Sequence, residues 1–388
     1  MTTPYPHRRH RVQTTGNLDR APWREAAGVT LSVERSNVMT FAVAKAGVSS
    51  EFYRVVARSH DLGVTGSYEV AFDKNFDFDR LARDGIKRVS LYFTWKEFEI
   101  GAMDPNDPSG ASLAEDLDPI IQKLGSLGMK TCLIFELTET DCDEAAPQAC
   151  WLEYGIPREL LYDQNNTFLG FDHPRLSDRL ENFAVKVAQR YPSKVVTHLF
   201  IGNETDQFLR LHGYKESFKA LLRRLNKAVS GLPDHAKFGT IFTYTPDSLS
   251  PNYNAMAREV APLVEVMAFT IYPFLFHAVN DQKVAPAASL ISQWFSSAAE
   301  VAAGKPFVVT ETAHPANGDF GTATEQLAYV RLLIDYLKTT PAEIEFVSWW
   351  SIEDAETHPF RGFRHTGLFT NNLQEERPAY RLWTEASQ

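Results

Sequence analysis

From residue 61 onward, short runs of β-branched and aromatic residues alternate with longer segments of helical period, and that alternation admits few folds. A strand that is followed by a helix returns to pair in parallel with the next strand, so the pattern predicts a parallel sheet with helices outside it. Candidate strands fall at 63–72, 86–93, 130–137, 195–201, 237–244, 264–272, 306–310 and 344–349. The helical segments are amphipathic. Leu176, Leu180, Phe183, Val187 and Ala188 recur at spacings of three and four, with Asp172 as a plausible cap and Pro174 in the first turn. Leu117, Ile120, Ile121 and Leu124 repeat the stripe, as do Phe218, Leu221, Leu222 and Leu225, and Leu327, Val330, Leu333, Ile334 and Leu337. Eight such units predict an α/β fold, a (β/α)8 barrel over residues 61–388 with an N-terminal β extension.

Residues 1–60 stand outside this scheme as an N-terminal tail and accessory β segment. Within them, 29–34 and 38–44 alternate loosely and read as a hairpin covering the floor or flank of the barrel. The basic run His7-Arg8-Arg9-His10-Arg11 reads as a solvated, disordered tail. The stretch 138–195 is longer than one helix needs, and Trp151, Tyr154, Asn165, Asn166 and Phe168 suggest an ordered loop over the barrel mouth.

Two of the candidate strands run directly into a glutamate: His198-Leu199-Phe200-Ile201-Gly202-Asn203-Glu204 and Pro306-Phe307-Val308-Val309-Thr310-Glu311. A strand ending on a carboxylate projects it from the rim of the sheet, and two carboxylates facing one another are what cleavage of a glycosidic bond requires. Glu204 and Glu311 are three strand–helix units apart at roughly 36 residues each, close to the roughly 30 a unit needs. The fourth and seventh strands of a closed eight-stranded barrel lie on opposite sides of its mouth, so their terminal side chains can face each other. The alternatives are an acidic helix cap for Glu204 and a structural salt bridge for Glu311.

Composition narrows the partners. A net charge of −10 argues against nucleic acid and anionic membranes, because phosphate binding needs a surplus of Lys and Arg; a neutral or cationic substrate fits better. No stretch approaches the roughly 18 apolar residues of a membrane span, and residues 1–20 hold no signal-peptide core, so no membrane insertion is expected. The expected compartment is cytoplasmic for the chain as given, or extracellular if a leader has been removed. Three cysteines supply no disulfide framework and no zinc spacing. Cys132 reads as a core thiol; Cys142 and Cys150 flank a loop that a disulfide could close, or remain two free thiols. No histidine pairing, calcium loop or phosphate-binding glycine loop is evident, so neither metal nor cofactor is expected.

The motifs Ile201-Gly202-Asn203-Glu204 and Val309-Thr310-Glu311 resemble the fourth- and seventh-strand signatures of glycoside hydrolase clan A, the retaining (β/α)8-barrel glycosidases. The resemblance implies that Glu204 is the general acid/base and Glu311 the nucleophile, with Asn203 on the sugar 2-hydroxyl. Phe269-Thr270-Ile271-Tyr272-Pro273-Phe274 resembles the sixth strand, whose tyrosine bonds the nucleophile, and Ser348-Trp349-Trp350 the eighth, whose tryptophan floors the cleaved sugar; as residues alone, Tyr272, Trp349 and Trp350 can equally be core aromatics. The run Thr310 to Pro315 with Asn317-Gly318 resembles the nucleophile loop of the endo-β-1,3-glucanase family, which has Gly-Trp where this chain has Ala313-His314. The segment Phe93 to Glu99, with Trp95, looks more like β-galactosidase- and xylosidase-type members. Arg88 shares a strand face with Ser90 and Tyr92, and clan members often place an arginine near the nucleophile from this strand. His198, His277 and His314 complete the candidates, as substrate contacts or as hydrogen-bonded structural histidines. The implied activity is a retaining β-glycosidase on a neutral oligo- or polysaccharide, foremost an endo-β-glucanase; a transglycosylase, a non-catalytic carbohydrate-binding barrel and a metal-dependent hydrolase with Glu311 and His314 as ligands are the alternatives.

Overall fold

The computed structural model describes residues 9–15, 24–25, 29–34, 38–43, 52–58, 61–65, 77–95, 111–138, 156–250, 252–278, 286–318, 320–355, 358, 361–370 and 375–387. Two compact units are distinguished, Met1–His60 with Ile334–Thr340, and Asp61–Leu333 with Pro341–Gln388. Cys142, Cys150, Trp151 and Tyr154 lie outside the described residues.

In the first unit, β1 (Arg9–Thr15) pairs antiparallel with β2 (Arg24–Glu25) and along its whole length with β5 (Phe52–Arg58). β3 (Val29–Glu34) and β4 (Val38–Val43) form the expected hairpin. Arg9, His10 and Arg11 therefore sit in a strand and not in a disordered tail. Their charge hid the strand, because what recruits them is backbone pairing with the β-prone run 52–58.

The second unit is a closed barrel of eight parallel strands: β6 (Asp61–Thr65), β7 (Arg88–Phe93), β8 (Lys130–Phe135), β9 (Val196–Ile201), β10 (Lys237–Thr243), β11 (Val266–Ile271), β12 (Phe307–Thr312) and β13 (Ile344–Trp350). All eight strands overlap the runs expected from the sequence, the first only over 63–65, the remainder of that run lying outside the described residues. The helices carry their apolar stripes inward; in Pro174–Arg190, Leu176, Leu180, Phe183, Val187 and Ala188 are all buried. The cap of that helix is His173, whose ring accepts from Arg175 N, and not Asp172.

Side chains alternate along each strand, and one parity fills the barrel while the other meets the helices. Tyr92, Cys132, Ile134, Phe200, Ile241, Val266, Ala268, Val308 and Phe346 form the packed interior. Cys132 is the buried free thiol expected there, pushed up to about 11 by burial. Outside, Phe93, Phe135 and Phe183 pack ring against ring between the sheet and the helix Pro174–Arg190.

Three extra residues interrupt the alternation. Relative to β8, strand β9 carries one more residue at Thr197; relative to β12, β13 carries one more at Glu345–Phe346; and β12 carries Thr310 in excess of both its neighbours. A bulge of this kind flips the parity of every later residue in its strand. Val308 points inward before Thr310, yet Glu311 points inward after it and Thr312 outward, where its hydroxyl meets Tyr329 on the helix Ala323–Thr339 at 2.6 Å.

Candidate active site

Glu204 and Glu311 both reach the mouth of the barrel at the C-terminal ends of their strands. Glu311 is buried, and each of its carboxylate oxygens accepts a phenol: Tyr92 donates to Oε1 and Tyr272 to Oε2. The Asn203 amide also hydrogen-bonds this carboxylate. Burial pushes Glu311 up from the ordinary carboxylate range, while the three donors draw it back by stabilising the anion. Tyr92 and Tyr272 are raised well above an ordinary phenol, first by burial and then by the charge of Glu311, so both remain protonated donors.

Glu204 follows Gly202, whose φ of +87° is reserved for glycine in practice; a Cβ there would lie 2.4 Å from Thr205 Oγ1. Glu204 itself sits in the left-handed region at φ +48°, a local cost of about 1 kcal/mol for a residue with a Cβ. It occupies the cap position of the helix Thr205–His212, yet its side chain makes no cap hydrogen bond. Instead Oε1 accepts from the Thr270 hydroxyl and Oε2 from Gln207 Nε2 at 3.2 Å. The strained turn thus directs the carboxylate away from the helix and into the mouth.

Thr270 links the two acids. It is the direct ladder partner of Glu311 across β11 and β12, strands about 4.8 Å apart, and its hydroxyl holds Glu204. Two residues further along the same face, Tyr272 holds Glu311. The carboxylates are therefore neighbours fixed by one strand.

Trp350, half-buried on the rim, packs at 4.9 Å between ring centroids against Phe363, which also meets Tyr272 at 4.8 Å; the Trp350–Ser351 peptide is cis. Trp349 has the opposite parity: it is fully buried against Tyr329 and Trp383, and its indole donates to Thr366 O at 2.8 Å. It is a core aromatic, so only Trp350 fronts the mouth. Trp95 is also fully buried, edge-on to Phe135 in the outer aromatic layer. His314 packs between Tyr329 and Phe274 with Nδ1 on Pro315 O. His277 falls in the helix Pro273–Ala278, its side chain outside the described residues. Among the described residues no three His, Cys, Asp or Glu side chains converge as a metal-ligand cluster.

Arg88 shares the inward face of β7, as expected, but at its N-terminal end, four residues from Tyr92 and thus about 13 Å lower in the barrel. There it donates to Thr197 at 2.6 Å and lies 4.0 Å over the Phe346 ring. His198 joins it, stacked on Phe200 and bonded to Glu345 at 3.2 Å. Both are floor residues. From β7 it is Tyr92 that reaches the carboxylate, and its inward parity with Arg88 was the signal available. Thr270 shares its strand face with Tyr272 two residues on, the signal that could have found it, whereas Gln207 and Phe363 carried none, because each enters the site from beyond a strand end, where strand periodicity does not report.

No protein-family model matches the chain, and no curated protein matches it. Among solved structures it is similar to an active-site mutant of the β-1,3-glucanosyltransferase of Rhizomucor miehei in complex with laminaritriose, with a TM-score of 0.52 and 13% identity over 82% of this chain and 96% of that one. It is similar to the exo-β-1,4-mannosidase Op5Man5 of Opitutaceae bacterium strain TAV5, at TM-score 0.60 and 14% identity over 85% and 59%. A GH10 endoxylanase from a sugarcane soil metagenome gives 0.56 and 12% over 85% and 97%. The fold shared with them is the (β/α)8 barrel. The strand-end motifs resemble the same group, and at these identities the likeness establishes the architecture.

Proposed function

We propose that the protein is a retaining β-glycosidase acting on a neutral β-linked oligo- or polysaccharide, foremost as an endo-β-glucanase. The observation that carries this reading is the pair of carboxylates held from one strand, Glu204 through Thr270 and Glu311 through Tyr272. Carboxylates this closely tied suit double displacement, which needs them about 5 Å apart, better than inversion, which leaves room for a water between them.

Glu311, its lone pairs aligned by two phenols, attacks the anomeric carbon as the bond to the departing oxygen breaks, and Glu204 supplies the proton that oxygen needs. The glycosyl ester so formed removes the charge of Glu311. Glu204, now a carboxylate, takes a proton from water; the water oxygen bonds to the anomeric carbon and Glu311 leaves as the anion. Two inversions give net retention. Trp350 offers an indole face to the apolar C–H side of the sugar, and Asn203 its amide to a hydroxyl. A sugar hydroxyl intercepting the ester in place of water would make the same residues a glucanosyltransferase, the activity named for the Rhizomucor neighbour.

The test is turnover of β-glucans, galactan, xylan, mannan and aryl β-glycosides, with products resolved by size and anomeric form, for the wild type and Glu311→Ala. Retained products from the wild type and none from the variant are expected. Unchanged hydrolysis by the variant removes the catalytic assignment, inverted product removes the two-step route, and products longer than the substrate assign transfer.

A further inference from the structure

We propose that a rim cavity beyond the end of the helix Thr205–His212 is a second carbohydrate-binding site, which engages a chain too long for the catalytic mouth alone. The cavity encloses about 480 Å3, within the range of small-ligand sites, and is lined by Phe168, Asp172, Tyr214, Glu216 and Ser217. That helix starts at Glu204 and ends against the cavity at Gly213, so the two sites are about 12 Å apart along it, a few sugar units.

Three features favour a sugar as the occupant. Tyr214 is 41% exposed and, with Leu211, is one of two large apolar side chains so exposed among the described residues. It is also held in place: its backbone lies in the left-handed region at φ +65°, and its ring rests edge-on against Phe168 at 4.4 Å. Phe168 in turn is braced by Tyr162 and Phe171. A rigid, open aromatic ring suits the apolar face of a pyranose and loses little entropy on binding.

The polar lining points the same way. Lys215 is neutralised by Glu259 at 2.5 Å and Glu216 by Lys219 at 3.0 Å, while the Asp172 carboxylate accepts no hydrogen bond from a described residue. An anionic ligand would meet uncompensated negative charge; a hydroxyl-bearing neutral ligand finds acceptors beside a ring.

The identity of the polymer rests on the glycosidase reading, but the site itself does not, and the experiment separates them. Full-length Glu311→Gln, with Tyr214→Ala, Tyr214→Phe and Asp172→Asn each added to it, is run in native gels cast with soluble β-1,3-glucan, mannan or xylan. In parallel, the single Tyr214→Ala variant is assayed on polymer and on an aryl β-glycoside. Tyr214→Ala is expected to weaken retention by one polymer about tenfold, Tyr214→Phe to preserve it, and kcat/KM to fall on the polymer with aryl-glycoside turnover unchanged. Retention that depends on Tyr214 in a protein inactive on every glycoside would sustain the site while ending the glycosidase reading. Equal retention with and without Tyr214, or retention by none of the three polymers, overturns the proposal.

Discussion

The barrel holds charge at both ends, and handles it in opposite ways. At the floor, the carboxylate has charged or titratable partners: Glu345 accepts from His198 and, at 2.5 Å, from Lys237, while Arg88 beside them donates to the Thr197 hydroxyl and is spread over the Phe346 ring. At the mouth, donors to Glu204 and Glu311 among the described residues include hydroxyls and amides. A carboxylate paired with a cation is fixed in its ionised form, and serves stability. One held by neutral donors keeps its lone pairs aimed while its proton affinity stays free to respond to a neighbour's charge, which is what a nucleophile and an acid/base need. The same amino acid thus becomes a brace or a reagent according to what donates to it.

The largest effect that distinguishes the ends is expected from the acids themselves. Glu311→Ala should lower turnover by at least about 10^4-fold with little change in melting temperature, whereas Glu345→Gln should leave kcat unaltered, as thermal unfolding and turnover measured on the same samples will show. Next come the donors: Tyr272→Phe and Tyr92→Phe should each lower kcat by about 10^2-fold, the cost of one donor to a reacting anion, with KM changed much less. Equal effects on kcat and stability would place the two phenols among the braces.

A smaller loss is expected at the floor. Glu345→Gln should cost about 2 kcal/mol, the worth of hydrogen bonds to a charged group, seen as a melting point lower by several degrees. The pH dependence sharpens the same contrast. Burial holds His198 down to about 4 from an ordinary 6.5, and Glu345 is brought to about 2 from 4.5, its burial outweighed by its bonds to His198 and Lys237. Both groups bind fewer protons folded than unfolded, so the floor's contribution is full above about pH 6.5 and is lost as the pH falls through 4 toward 2. Glu311, raised by burial, has the opposite sign for stability, its contribution being lost as the pH rises through its folded value. In the proposed mechanism only its anion attacks, so the acid limb of kcat/KM should lie above the ordinary carboxylate range, and in Glu345→Gln that limb should stay where it is while acid unfolding moves.

The alternation of strand and helix periods made the barrel legible because each strand needs only a local run and each helix only a stripe; no long-range information enters. Glu204 and Glu311 were legible because they end such runs. What surrounds them was not. Parity counted from a run's first residue fails past an extra residue, which is why Thr310 could not be recognised as the pivot of Glu311, nor Glu345 as an inward group. Trp349 and Trp350 look alike in sequence and differ by one step of parity, and that step sends one into the core and the other to the rim. Arg88 and Tyr92 were placed on the right face, but height along the barrel axis decides which of them meets the carboxylate.

The excess residue at Thr310 makes the chemistry of the mouth depend on a count as well as on an identity. Were Thr310 taken up into a regular ladder opposite Thr270, the glutamate would face the helices, beside Tyr329, and a threonine would look into the mouth in its stead. Every side chain would still be present in the polypeptide, and the proposed nucleophile would be gone.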